Sequence, residues 1–355
     1  MSGSWVRCSV RFPCPICGHT SWCSVAADGK LVGCRRRGDG AWKSKVDRTG
    51  AVQYFHRLDG KERPSVQVSL PAQQEDIPCA DVDTLNRVYD AILGHYQLSQ
   101  SHFSNLSSRG LTSDEIRKRR YGSLPAHGRS TFATELYRRF GQAVLAVPGL
   151  LMRDAEQGRY LTIAGSPGLL IPVRDTDGKI IAIKIRGDEV GAGGKYRSLS
   201  SHGRGGAGPG ARAHVPIGVG RSDVVRITEG ELKADVAFCL SGLATVSIPG
   251  VGCWQVGADA VRKLGGKVAR VAFDSDEATN PNVAMAVMFC VNGLIGMGLT
   301  VEVECWPTSY KGIDDAIQAG QIPKVLTGDE VTDFLRVIVW CAEKQKRIKG
   351  EKTND

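Results

Sequence analysis

Four acidic residues, Glu229 in VVRITEGELKAD, Asp274 and Asp276 in VARVAFDSDEA, and Asp314 in YKGIDDAI, follow three short apolar, β-branched runs. The runs are Val224, Val225 and Ile227; Val268, Val271, Ala272 and Phe273; and Val301 and Val303. Such runs read as strands, and the first two end directly on acids, where backbone pairing stops. Mg²⁺ takes a few carboxylates and fills its shell with water and substrate phosphates, and an Asp-x-Asp pair can set two acids beside one ion or between two. The chemistry implied is phosphoryl transfer. Taken singly, each acid is equally well read as a solvated strand-end residue; the four in one arrangement carry the argument.

The elements that must position these acids follow from the intervening sequence. Apolar stretches of helical length, Leu232 to Leu240 and Val283 to Ile295, lie between them, so the order is strand, helix, strand, helix, strand. In a parallel sheet of that kind ligands bind beyond the carboxyl ends of the strands. Upstream, Asp175-Thr-Asp177-Gly178 is a hairpin turn between the alternating runs Leu169 to Val173 and Ile180 to Ile185. Lys184, Arg186, Lys195 and Arg197 there offer cations for a triphosphate or a template backbone, or else are exposed solubility charges. The glycine-rich stretch Gly187 to Gly210 reads as a mobile loop. Leu85 to Leu98 and Ser113 to Arg120 read as helices, the second capped by Ser113. Lys61 to about Asp83, polar and carrying Pro64, Pro71 and Pro78, reads as a linker.

Cys14-Pro-Ile-Cys17-Gly-His19, with Cys23 and Cys34 following, is a zinc knuckle in a segment too short to bury a core unaided. Cys14, Cys17, Cys23 and Cys34 can close a tetrahedral structural site; His19 is the alternative to Cys23, and Cys8 is a spare. Trp22, Trp42, Tyr54 and Phe55, interleaved with Arg35, Arg36, Arg37, Lys43, Lys45 and Arg48, suit stacking on bases and contact with phosphate. For Trp22 and Phe55, packing within a small core is an equal reading.

Glu229-Gly230, Asp274-x-Asp276 and Lys311-Gly-Ile-Asp-Asp resemble the Toprim fold of topoisomerases, bacterial-type primases and some nucleases. SIPGVGCW (Ser247 to Trp254), FDSDEATNPNV (Phe273 to Val283) and YKGIDDAI (Tyr310 to Ile317) narrow the likeness to Toprim primases of phages, plasmids and prophages. LSSRGLTSDEIRKRRYG (Leu106 to Gly122), GLLIPVRDTDGKIIAIKIRGDE (Gly168 to Glu189) and KYRSLSS (Lys195 to Ser201) resemble the first half of a primase core, with its basic loop facing the catalytic carboxylates. CPICG, WCS, GCRR and HRL (Cys14 to Gly18, Trp22 to Ser24, Gly33 to Arg36, His56 to Leu58) resemble the zinc ribbon of mobile-element primases, which touches template DNA. Two departures from the replicative pattern stand out. Four residues after the glutamate, Lys233 replaces an aspartate, with acids at Glu231 and Asp235 instead, and Gly312 replaces the first aspartate of the last motif.

Net charge is +6 over residues 1–60, +7 over 61–222 and −4 over 223–355, within a formal total of +9. The basic front attracts polyanion, and the acidic rear repels it unless metal ions intervene. Gly194-Lys195 is not a P-loop, since Tyr196 replaces the Ser or Thr and Glu189 the first glycine. No apolar run reaches membrane-spanning length and no secretory leader precedes the cysteines, so a cytoplasmic protein is expected. The expected fold is α/β: a zinc ribbon (1–60), a linker (61–84), a helical and mixed α/β N-terminal part of a primase core (85–222), a Toprim domain with a mainly parallel sheet flanked by helices (223–330), and a C-terminal helix and tail (331–355). The resemblance implies a metal-dependent DNA primase of a phage, prophage or plasmid replication module. Glu229, Asp274, Asp276 and Asp314 would be catalytic, the first three on Mg²⁺ or Mn²⁺. Lys184, Arg186, Lys195, Arg197, Arg35 and Arg36 would contact nucleic acid or nucleotide. Single-stranded DNA, nucleoside triphosphates and a separate replicative helicase are the implied partners. A Toprim nuclease and a non-catalytic adaptor that recruits a helicase are the alternatives.

Overall fold

The structure, a computed structural model, describes residues 5–9, 12–20, 22–46, 52–58, 77–155, 158–191, 194–274 and 281–351. Asp276 and most of the expected linker lie outside these residues. The chain divides into two compact units, Met1–Gln74 and Glu75–Asp355.

The first unit is an antiparallel sheet of β1 (Trp5–Arg7), β2 (Ser24–Ala26), β3 (Leu31–Cys34), β4 (Lys43–Val46) and β5 (Val52–Arg57), in the order β1-β2-β3-β5-β4. Its core is Cys8, Cys14, Cys23, Val25, Val32 and Cys34. So few apolar side chains bury little surface, and a structural metal is the usual supplement in a unit of this size.

The second unit opens with α1 (Val82–His95), α2 (Gln100–Ser107) and α3 (Ser113–Arg119). Helix α1 starts earlier than its apolar pattern suggested because Asp81 caps it, accepting from the Thr84 N–H at 2.9 Å. Likewise Thr112, not Ser113, caps α3, accepting from the Glu115 N–H at 3.2 Å. Then come β6 (Gly122–Leu124), α4 (Arg129–Phe140) and the hairpin β7 (Leu150–Ala155) and β8 (Gly158–Ile163). Strands β9 (Gly168–Arg174), β10 (Ile180–Gly191) and β11 (Gly194–Ser198) complete an antiparallel sheet ordered β11-β10-β9-β6. The first part of the glycine-rich stretch is therefore strand, β10 running on to Gly191 and β11 returning beside it as far as Ser198, while 199–210 is loop. The segment after β11 is pinned, with the Ser201 hydroxyl donating to the Ala207 carbonyl at 3.1 Å and accepting from the Gly149 N–H at 3.2 Å.

Alternation along β9 and β10 gives this sheet two apolar faces. Leu170, Ile183 and Ile185 pack with Leu85, Tyr89 and Ile92 of α1 and Phe132 and Leu136 of α4. Leu169 and Ile171 face the other way and pack with Leu106, Ile116, Leu232 and Val236. Full burial of each such side chain contributes about 1.5–3 kcal/mol.

A second sheet contains β12 (Val224–Glu229), β13 (Thr245–Ile248), β14 (Val268–Val271), β15 (Thr300–Cys305) and β16 (Lys324–Leu326), in the order β13-β12-β14-β15-β16. All neighbours are parallel except β15 and β16. Helices α6 (Trp254–Lys263), α7 (Pro281–Gly296) and α9 (Asp329–Glu351) pack on one face of it, through Val261, Val291, Leu294 and Ile338 among others. Helices α5 (Glu231–Ser241) and α8 (Ile313–Gln318) cover the other. That second face holds buried ions: Arg226 on β12 donates to both carboxylate oxygens of Glu304 on β15, at 2.6 and 2.9 Å. The mixed α/β class read from the sequence is the class observed, while β13, α6 and the antiparallel edge strand β16 are elements that reading omitted. Among the described residues no helix is long and apolar enough to cross a membrane.

Candidate active site and metal centre

In the first unit, the loop between β1 and β2 supplies Cys14 and Cys17, the residue before β2 is Cys23, and β3 ends on Cys34. Their Sγ atoms all lie within 4.8 Å of one another. Four convergent sulfurs fit a tetrahedral zinc ion. His19 is not among them, and Cys8 lies beside the cluster, its thiol pushed up to about 11 by burial and by neighbouring Cys14. Burial also pushes the Cys23 and Cys34 thiols up. At Cys17 burial acts in the same direction, but the His19 N–H and the neighbouring sulfurs outweigh it and pull the thiol down. The Arg35 N–H donates to Cys23 Sγ at 3.4 Å, and the Arg36 and Arg37 N–H groups to Cys34 Sγ at 3.4 and 3.3 Å. Backbone donors aimed at sulfur stabilise the thiolates a metal requires, and they also fix where the arginine run leaves β3.

Among the described residues of this unit, Trp5, Trp22 and Trp42 are exposed. Trp22 is 73 % exposed, and Trp42 is exposed with the Arg57 guanidinium 4.7 Å over its ring. Phe55 is instead partly buried, edge-on to Trp5 at 5.8 Å.

In the second unit the acids gather at the carboxyl ends of the parallel strands. Glu229 is the last residue of β12, and Gly230, at φ +87°, makes the turn into α5 that an L side chain would strain. The Val251 N–H, from the turn after β13, donates to Glu229 Oε1 at 2.7 Å. Ala272 extends the strand pairing past β14 by donating to the Ile227 carbonyl at 2.9 Å, and Asp274 follows the buried Phe273. Asp314 comes not from a strand end but from the first turn of α8. It is 4 % exposed; Oδ2 lies 3.5 Å from Arg109 Nη1, and Oδ1 is buried with no hydrogen-bond partner among the described residues. Burial pushes the Asp314 carboxyl up, and Lys233 opposes that shift. An orphaned, buried carboxylate oxygen fits a cation.

The Lys233 ammonium, one turn into α5, is paired with Asp274. The other acids of that helix are committed elsewhere. Glu231 lies 3.4 Å from the Lys184 ammonium. Asp235 lies 3.1 Å from Arg119 Nε and 3.4 Å from His214 Nε2, and accepts from the Tyr121 hydroxyl at 2.7 Å. Burial alone would push the Asp235 carboxyl up; His214, Arg119 and Tyr121 reverse this and hold it below its ordinary value.

The register of β9, β10 and β11 sorts the cations. Lys184 and Arg186 stand opposite Ile171 and Leu169, on the sheet face that packs against α5. Arg197 stands opposite Ile185 and so projects from the other face. Lys195 is lowered first by the Arg186 charge, then by burial and by the Arg109 charge. Arg186 Nε and Arg109 Nε are both buried without a hydrogen-bond partner. The structure thus sets Glu229 and Asp274 at the ends of neighbouring strands, ties Asp274 to Lys233, Asp314 to Arg109 and Lys184 to Glu231, and sets Arg197 on the other sheet face; among the described residues only the four cysteines converge within metal-ligating reach. It adds Arg109, which sequence reasoning passed over although it lies in the SSRGL stretch quoted for its resemblance.

A family model described as a domain of unknown function (DUF3854) matches residues 221–322, which hold the parallel sheet and its acids. No curated protein matches the chain. Among solved structures, the zinc-binding and RNA polymerase domains of the Aquifex aeolicus primase are similar at 17 % identity, covering 92 % of this chain and 80 % of that one, with a TM-score of 0.53. The RNA polymerase domain of the Mycobacterium tuberculosis primase DnaG is similar at 18 % identity, covering 75 % and 87 %, with a TM-score of 0.51. The same domain in complex with double-stranded DNA gives 19 % identity, 72 % and 80 % coverage, and a TM-score of 0.52. The chain therefore has the fold of the zinc-binding and RNA polymerase domains of DnaG-type primases.

Proposed function

We propose that this protein is a metal-dependent DNA primase that makes short primers on single-stranded DNA in the replication of a phage, prophage or plasmid. One observation supports the reading: Glu229 and Asp274 stand at the carboxyl ends of neighbouring parallel strands, and Asp314, buried in the first turn of α8, is paired with Arg109. Acids for a cation beside bases for phosphates are what nucleotidyl transfer needs. In this reading residues 1–60 form a template-contacting zinc ribbon, 85–222 the first part of the core and 223–330 a Toprim domain.

Glu229, Asp274 and Asp276, helped by Asp314, would hold Mg²⁺ or Mn²⁺. When bound, such an ion supplies Lewis-acid polarisation at the α-phosphate and neutralises the departing pyrophosphate. The remaining roles fall to side chains. Arg186 and Lys195 would orient the triphosphate, with Arg109 assisting from its place beside Asp314. The Val251 N–H fixes the rotamer of Glu229, which aims the carboxylate. Lys184, tied to Glu231, would hold the strand against α5, and Arg197, on the opposite face, would contact template rather than nucleotide.

The test is synthesis itself: full-length protein, single-stranded template, labelled ribo- or deoxynucleoside triphosphates and Mg²⁺ or Mn²⁺, scored for new oligonucleotides and for template cleavage. New oligonucleotides support the reading, and cleavage without synthesis points to a nuclease. A second reading, an adaptor that binds DNA and recruits a helicase without catalysis, is favoured by the Lys233 ammonium on Asp274. It predicts DNA binding with neither product.

A further inference from the structure

The acid cluster already contains a positive charge. Lys233 is paired with Asp274, its Nζ and Asp314 Oδ1 border the same space beside Gly312, and its charge opposes the burial that pushes the Asp314 carboxyl up. Both it and Asp274 are largely buried, with side chains 17 % and 21 % exposed, where solvent screens such a pairing less than at the surface.

Gly312 explains how the lysine fits. A Cβ at this position would come within 2.6 Å of Asp314 Oδ1 and within 2.8 Å of both Cε and Nζ of Lys233. Its φ is −124°, which any residue adopts, so the requirement for glycine is space and not backbone conformation. The end of the lysine fills the volume that a side chain at 312 would need. Lys233 and Gly312, which look like two unrelated departures in the sequence, are therefore one device.

We propose that Lys233 takes the place of one divalent ion in the carboxylate centre, admitted by Gly312, so that a cation binding at Asp274 and Asp314 must displace its ammonium. This deepens the primase reading and rests on it for the identity of the centre. It implies a centre with one fewer divalent ion than its carboxylates could otherwise hold. It also leaves Asp314 Oδ1, which has no hydrogen bond of its own, beside a cation supplied by the chain.

Direct titration with Mn²⁺, free ion being read by electron paramagnetic resonance, tests the inference on the full chain with its zinc retained. Lys233→Ala and the volume-retaining Lys233→Met should bind one more Mn²⁺ per chain than the wild type, or bind the same ion about tenfold tighter or more. Lys233→Arg should keep the wild-type isotherm, and adding Asp274→Asn to Lys233→Met should abolish the gain. Unchanged count and affinity in folded Lys233→Ala and Lys233→Met would overturn the proposal. So would loss of the native melting transition in both, because Lys233 would then be a structural counter-ion with no exchangeable place. The readout is independent of primer synthesis. A chain that makes no oligonucleotide but gains Mn²⁺ on loss of Lys233 keeps this inference and loses the primase reading, and the converse result does the reverse.

Discussion

At the scale of single residues, Asp274 and Arg109 are the side chains whose removal is most informative. Asp274 sits where strand pairing has just ended and is paired with Lys233, so Asp274→Asn removes a charge from the centre while keeping the side chain's shape. It should forfeit several kcal/mol of transition-state stabilisation, lowering primer synthesis by about 100-fold or more while single-stranded DNA binding persists. Wild-type synthesis by the variant, measured with labelled nucleotides, would move the catalytic site elsewhere. Arg109→Ala should instead raise the KM for nucleoside triphosphate by about tenfold, the scale of one charge-assisted hydrogen bond, and change kcat less. A steady-state series at fixed template separates the two effects; a fall confined to kcat would assign Arg109 to Asp314 rather than to nucleotide. Glu229 was legible from sequence because an alternating run ending on an acid before glycine is local information. Arg109 was not, since its partner Asp314 lies 205 positions away.

At the scale of elements, the junction between α3 and α5 holds the two sheets of the second unit in register. Arg119, Tyr121 and His214 converge on Asp235, all buried, and Leu232 and Val236 of the same helix pack on Leu169 and Ile171. Helix α5 also carries Lys233, so this junction positions the acid centre as well. Asp235→Ala leaves the buried Arg119 with Glu115 as its one carboxylate partner and the buried Tyr121 hydroxyl without its acceptor, and should cost about 1–3 kcal/mol in chemical denaturation. The pH dependence has a definite sign. Because the folded state holds the Asp235 carboxyl below its ordinary value, its stabilisation is complete above about pH 4, where the unfolded carboxylate titrates, and is lost as pH falls through the folded value. Asp235→Asn should flatten that acid limb of the stability profile, and an unchanged limb would assign acid lability to other carboxylates. The hairpin at Asp175–Gly178 and the apolar cores of α5 and α7 were readable from periodicity. β13 was not, because Thr245–Ile248, although it alternates polar and apolar residues, is a run of only four. The extent of β10 was missed for a different reason: glycines around 187–194 suggest a loop, whereas pairing with β9 and β11 decides the matter. Caps erred by one residue where Thr112 and Ser113 are chemically equivalent candidates.

At the scale of the whole molecule, the two units separate what metal does for folding from what it does for chemistry. The first unit has a small, cysteine-rich core, so zinc binding is folding energy there, whereas the second unit has its own extended apolar cores. Cys17→Ser or chelation should remove about one zinc per chain and unfold the first unit, leaving the second with a native melting transition. Metal analysis finding no zinc in protein purified without chelator would remove the ribbon. Charge divides along the same line. The arginine run at 35–37 leaves β3 with its backbone tied to Cys23 and Cys34, so the cysteine cluster orients the basic segment, and Trp22 and Trp42 are exposed in the same unit. Affinity for single-stranded DNA should then fall with salt at a slope of about −0.7 per phosphate contact, and Arg35→Ala with Arg36→Ala should flatten it. These changes should weaken initiation on bare template more than extension of a supplied primer, because the carboxylates and their basic partners belong to the other unit. Equal loss in both assays would mean that the arginines serve the catalytic step, and an unaltered salt slope would take the run off the template altogether.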